Sequence, residues 1–213
     1  MPTDTKDRIL DSAELLFAQH GIAATSLRSL TEHAGVNLAS VNYHFQSKDA
    51  LVQAVLFRCL NPINERRMNL LNAIIHRPGG APPEIEDILD ALYRPAVEAA
   101  MTSRKEGRSI IALMGRIYME PGELLASQVR AVMTQVVSAF HDVLRMALPD
   151  VPQNVLFWRL QFSVGVMTHT FGASQLIEGL ARGRVQVNDT EELLRQMISY
   201  AAGGLRGNLP CAK

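Results

Sequence analysis

The stretch from Thr25 to Leu51, TSLRSLTEHAGVNLASVNYHFQSKDAL, constrains this chain more than any other. Leu27, Leu30 and Ala34 recur at spacings of three and four, the inward stripe of an amphipathic helix. Gly35 follows. A residue without Cβ takes positive φ freely, so it ends that helix in a sharp turn. Val36 plugs the corner. Asn37 is a good N-cap for a second helix, because its side chain accepts from an exposed backbone N–H. The second helix buries Leu38 or Val41, and Phe45. Ser47 then caps a further helix, with Asp49 favourably placed in its first turn. Two short helices joined by a tight turn, and followed by a third, read as a helix-turn-helix.

The second of these helices leaves Ala39, Ser40, Asn42, Tyr43 and His44 on or near its outer face. A helix that presents small and polar side chains can enter the DNA major groove, which is about 12 Å wide. Ser40 and Asn42 can reach base edges, and Ala39 can approach a thymine methyl. Tyr43 and His44 lie where a hydroxyl and an imidazole meet phosphates, with Lys48 just beyond as a point charge. Thr25 and Ser26 begin the preceding helix, whose free N–H groups and positive dipole end suit a phosphate. Arg28, Asn37 and Leu38 complete the candidate DNA-binding set.

At these positions the chain resembles the TetR family of bacterial transcriptional regulators. The resemblance rests on Thr25–Leu27, Ala34-Gly35-Val36, Val41, Tyr43-His44-Phe45, and Ser47-Lys48 followed by Leu51. It extends back through Ile9–Phe17 and Gly21, covering roughly the first 50 residues. The pattern around Val36-Asn37 and Val41–Phe45 is similar to a branch that includes sensors of fatty acids or acyl-CoA.

At 213 residues the chain exceeds a lone DNA-binding module and suits one or two domains. An apolar fraction of 47% is ample for a packed core. The first 50 residues carry four cations, Lys6, Arg8, Arg28 and Lys48. Six carboxylates oppose them, Asp4, Asp7, Asp11, Glu14, Glu32 and Asp49, a net of −2. That departs from the basic footprint usual in DNA binders. Phosphate affinity must then come from a few placed cations, helix N-termini and hydroxyls, doubled by dimerisation. Cys59 and Cys211 stand in no metal or redox spacing, which fits a reducing cytoplasm. Asp4, Asp7 and Asp11 interrupt any N-terminal signal, and no apolar run approaches 18 residues, so no membrane span is expected.

Read in order, the chain is helical throughout. A first helix over 4–20, capped by Asp4 or Thr5, buries Ile9, Leu10, Ala13, Leu16 and Phe17. The helix from Ser47 is broken or kinked at Asn61-Pro62 and continues through Met68, Leu71 and Ile74. A Pro- and Gly-rich loop spans 76–83. Another helix follows with a kink at Arg94-Pro95, ending in a polar break over 102–107. A short helix covers 108–119 and a turn falls at Pro121-Gly122. Long helices cover 123–148 and 152 to about Arg182, the second apolar on more than one face. A last helix runs from about Asp189 or Thr190 to Gly203. The expectation is an all-α protein of about nine helices. Residues 1–50 form a three-helix DNA-binding head and residues 51–213 a helical ligand-binding and dimerisation bundle.

The last two long helices carry more apolar surface than one protomer covers. The resemblance implies a four-helix interface in a homodimer, which places two recognition helices on successive turns of a palindromic operator in double-stranded DNA. Met114, Met119, Phe140, Trp158, Phe162 and Met167 are candidates to line a site for a small, largely apolar ligand, although such a stripe also reads as core. Arg116, Arg159, His141 and His169 are candidate polar anchors. No cofactor or metal is expected: the carboxylates from Glu84 to Asp90 read as dipole partners at a helix start. No enzyme motif occurs, and the His141-Asp142 pair is weak on its own. The resemblance implies a ligand-released repressor in the cytoplasm. A transcriptional activator, or an adaptor that keeps the helix-turn-helix for a protein partner, stands as the alternative.

Overall fold

The computed structural model describes residues 4–79, 81–105, 113, 123–185 and 189–208. Among them are nine α-helices and no strand: α1 Thr5–His20, α2 Leu27–Ala34, α3 Leu38–Phe45, α4 Lys48–Ile75, α5 Ile85–Lys105, α6 Glu123–Ala147, α7 Gln153–Gly172, α8 Ser174–Ala181 and α9 Thr190–Arg206. The short helix expected over 108–119, the turn at Pro121-Gly122 and Cys211 lie outside the described residues, apart from Leu113. The chain divides into two compact units: residues 1–62 with 102–132, and residues 63–101 with 133–213.

The first unit is built on α1. Asp4 caps it by accepting from the Lys6 N–H at 3.4 Å, and Gly21, at φ +88°, ends it. Ile9, Leu10, Ala13, Leu16 and Phe17 are all buried, as their spacing requires. They pack with Leu30 and Ala34 of α2, Val41 and Phe45 of α3, and Leu51, Val52, Val55, Leu56 and Cys59 of α4. Each large side chain so buried contributes about 1.5–3 kcal/mol. Arg58 of α4 reaches back to α1 and donates to Asp11 and Glu14, both at 2.8 Å. Leu113 is fully buried in the same core, and Val129 packs against it.

The second unit packs α5, α7 and α9 with parts of α4 and α6. Ile88, Leu89, Leu92 and Val97 of α5 are buried, as are Phe140, Val143 and Leu144 of α6, Leu156 and Leu160 of α7, and Leu194, Met197 and Leu205 of α9. Tyr93 is fully buried. Its hydroxyl donates to the Ser163 carbonyl at 2.8 Å, and desolvation holds the phenol well above its usual range. Two ion-pair clamps join α5 to α9: Arg94 to Glu191 at 2.6 and 3.2 Å, and Arg206 to Glu86 at 2.5 and 2.6 Å.

The helix from Ser47, expected to be broken or kinked at Asn61-Pro62 and to continue, does continue: α4 contains Pro62, which lacks the donor to the Arg58 carbonyl. Two boundaries differ from the sequence expectation. The polar residues from Thr102 do not stop α5, which continues to Lys105 and contains Pro95. The long helix after Pro152 is two helices, because Ala173 leaves helical geometry at φ −108°, ψ 15°.

Candidate nucleic-acid interface

The second and third helices are fixed by local chemistry before they reach anything else. Ser26 caps α2, its Oγ accepting from the Ser29 N–H at 3.0 Å. At the other end Gly35 adopts φ +62°, ψ 39°, the left-handed geometry of a helix stop. Asn37 caps α3: its Oδ1 accepts from the Ser40 N–H at 2.8 Å and from the Ser40 hydroxyl at 3.0 Å. Gln46, at φ +62°, ends α3. Ser47 then accepts from the Ala50 N–H at 3.1 Å and starts α4.

This frame sets which face of α3 is buried. Val41 and Phe45 go into the core, while Leu38 is half exposed. Ala39, Asn42 and Tyr43 are exposed, and Ser40 and His44 are half-buried on the same outer side. Tyr43 keeps 83% of its surface. Its ring meets His44 edge-on, with centroids 5.1 Å apart. The helix LASVNYHF carries no carboxylate. The acidic residues lie elsewhere: Asp11 and Glu14 are paired with Arg58, and Glu32 with Arg28 at 3.0 Å. The net charge of −2 therefore does not fall on the outer face of α3. That face offers a hydroxyl, an amide, a phenol, an imidazole and a methyl, the groups that pair with base edges and phosphates.

Other candidate DNA-binding residues have duties within the unit. Thr25 is 3% exposed, and its hydroxyl donates to the Gly21 carbonyl at 2.7 Å and to Leu16 at 3.3 Å. It locks the end of α1 to the start of α2. Lys48 Nζ donates to the Ala23 carbonyl at 3.3 Å, tying α4 to the loop before α2. Arg28 is exposed and pairs with Glu32, one turn along.

The candidate ligand-binding residues separate. Phe140 and Met167 lie in the core of the second unit. Trp158 and Phe162 stand on the outer side of α7, 60% and 66% exposed, their rings stacked 5.9 Å apart. Met114, Met119 and Arg116 lie outside the described residues. Arg159 covers the end of α9, donating to the carbonyls of Leu205, Gly207 and Asn208 at 2.7–3.0 Å. His169 is exposed, and His141 sits 3.4 Å from the Gln153 carbonyl. A groove of about 450 Å³ runs between α7 and α9, lined among others by Phe162, Val166, Tyr200, Gly203 and Gly204. A Cβ built on either glycine meets nothing within 4 Å.

Sequence reasoning passed over two arginines. Arg67 is 2% exposed, donating to Leu92 O at 2.8 Å, Asn64 Oδ1 at 3.0 Å and the Met167 sulfur at 3.7 Å. Its signal was available, because residues 60, 63, 67 and 71 share the buried stripe of α4. Arg8 bonds the corner between α2 and α3, and no spacing rule announces that.

Comparison with known proteins agrees with this geometry. Residues 9–55 match the family described as bacterial regulatory proteins, tetR family, and residues 90–204, more than half of the chain, match the tetracyclin repressor-like C-terminal domain. The chain is similar to the probable HTH-type transcriptional regulator YttP of Bacillus subtilis, 42% identical over 53 residues. That match spans 25% of this chain and only about a quarter, 26%, of the relative's length. It is also similar to the HTH-type transcriptional regulator SrpR of Pseudomonas putida, 26% identical over 94% of this chain and 83% of that one. In fold it is similar to the fatty acid degradation regulator FadR from Bacillus halodurans: TM-score 0.69, 14% identity, 98% of this chain and 100% of that one.

Proposed function

Because the chain belongs to the TetR family of bacterial regulatory proteins, we propose that it is a homodimeric transcriptional repressor, released from a palindromic operator by a small, largely apolar ligand. The observation that carries this reading is the outer face of α3: exposed, free of carboxylates and held by Asn37, Val41 and Phe45. In the groove Ala39, Ser40 and Asn42 read base edges, with Leu38 against the sugar-phosphate wall. Tyr43, His44, Lys48, Arg28 and the start of α2 at Thr25 and Ser26 hold phosphates. Residues 1–50 are the DNA-binding part, and residues 51–213 bind ligand and dimerise.

Dimerisation draws support from the outer sides of α7 and α9. Trp158, Phe162 and Tyr200 are exposed there beside the open groove over Gly203 and Gly204. Each glycine inside a helix costs about 1 kcal/mol relative to alanine. A second copy approaching closely would offset that cost and cover the aromatic rings. Two heads on one dimer double a phosphate grip that is modest in each.

The switch requires a ligand that binds the DNA-releasing arrangement better than the DNA-bound one; about 1.4 kcal/mol of difference changes operator affinity tenfold. We place the ligand in the C-terminal bundle and its effect on head spacing in α4, which runs from Lys48 to Ile75. The fold-level likeness to a fatty acid degradation regulator puts long-chain acyl compounds first in a screening panel. No helix among the described residues is long and apolar enough to cross a membrane, and operator binding assigns the protein to the cytoplasm. The test is a titration of fluorescent operator with protein, repeated with each ligand in the panel. A ligand that raises Kd tenfold or more supports release. A ligand needed for binding makes the protein a ligand-dependent regulator or activator, and no operator binding at all leaves the adaptor.

A further inference from the structure

Arg8 leaves the exposed side of α1 and ends at the corner of the helix-turn-helix. Its Nη2 donates to the Ala34 carbonyl at 2.6 Å and to the Gly35 carbonyl at 3.0 Å. Ala34 is the last residue of α2, where helix carbonyls lack partners along the helix and the dipole end is negative. Gly35 is the left-handed residue that turns the chain, and Asn37, two residues on, starts α3. The corner's backbone bonds are local, Gly35 N–H to Glu32 O and Val36 N–H to Thr31 O. They tie the corner to α2 but not to α1. His33, 3.0 Å from Ser12, links α2 to α1 on its side rather than at the turn. Glycine suits position 35 by its φ of +62°, and a Cβ there would stand 2.8 Å from Arg8 Nη2, so the guanidinium end would have to shift.

We propose that Arg8 is a positioning residue for operator recognition, fixing the direction in which α3 leaves the corner without itself touching DNA. One guanidinium nitrogen grips the carbonyls on both sides of the α2–Gly35 junction, so the corner moves with α1 and not independently of it. The inference rests on the DNA-binding reading above for its consequence, though not for its geometry.

The test uses the full chain with Arg8→Gln and Arg8→Lys. Amide exchange is followed at Val36 and Ser40, and operator affinity is measured across a salt series. Arg8→Gln is expected to speed exchange at both amides at least tenfold while the amides of α4 keep their rates. It weakens operator binding at least tenfold, with an unchanged slope of log K against log salt. Arg8→Lys, which can still donate to one carbonyl, recovers part of both effects. A slope smaller by about two per dimer, with exchange unchanged, would make Arg8 a phosphate ligand and overturn the proposal. Unchanged affinity in both variants would overturn it as well. If the wild-type protein selects no operator, the functional reading fails on that account, and exchange at Val36 and Ser40 still decides whether Arg8 holds the corner.

Discussion

Tyr43 projects from α3 with most of its surface in solvent, its ring edge-on to His44. Surface side chains of this kind change stability within about 0.5 kcal/mol. Tyr43→Ala should therefore melt with the parent protein and lose operator binding. Equal affinity for the operator would remove Tyr43 from the interface. Thr25 behaves oppositely. Its hydroxyl is buried on the Gly21 carbonyl, so Thr25→Val should lower unfolding stability by about 1–3 kcal/mol. Operator affinity, measured on the folded fraction, should stay within a few-fold because the main chain is unchanged. A denaturant titration beside an anisotropy titration separates these outcomes. The sequence reading placed both residues in the DNA-binding set and could not distinguish their duties. A threonine just before an N-cap reads alike whether its hydroxyl faces a phosphate or a carbonyl of the preceding helix. The partners of Arg8 lie 26 and 27 residues away, beyond any local pattern.

The helices themselves were legible where a buried face imposes period. The stripe of α1, the caps at Asn37 and Ser47, and the glycine stops at Gly21 and Gly35 follow from spacing and side-chain chemistry alone. Helix stops without such a mark were not. Pro62 and Pro95 are visible in the sequence and stand inside α4 and α5, whereas the stop at Ala173 has no proline to mark it. Arg67 went unread, although its register with Leu60, Ile63 and Leu71 puts it in the core. Between α5 and α9, the clamps Glu86–Arg206 and Arg94–Glu191 give a pH dependence of known sign. Hydrogen bonds from the partner arginines hold both glutamates below the ordinary carboxylate value of 4.5. A depressed folded-state pKa contributes stability above the unfolded value, and that contribution disappears as pH falls through the folded one. Both pairs are exposed, so the effect is small and salt-sensitive. The double variant Glu86→Gln, Glu191→Gln should melt below the parent at pH 7 in low salt and together with it near pH 3. A gap that persists at pH 3 would assign the difference to packing.

At the scale of the whole molecule the account depends on two copies acting together. Phe162→Glu with Tyr200→Glu should give a folded monomer by light scattering at micromolar concentration. Its operator affinity should fall at least a hundredfold, since one head retains few phosphate contacts. A variant that stays dimeric would move the interface away from α7 and α9. With four cations and six carboxylates in the first 50 residues, the wild-type dimer should show a shallow salt slope on non-specific DNA. A slope implying many released counterions would contradict that. The most direct measurement is selection of bound sequences from a random duplex pool, at fixed salt, with folded full-length protein. The expected result is a palindrome whose half-sites are centred about one helical turn apart. A recovered site without two-fold symmetry, or no enrichment from protein shown to be dimeric, would contradict the account.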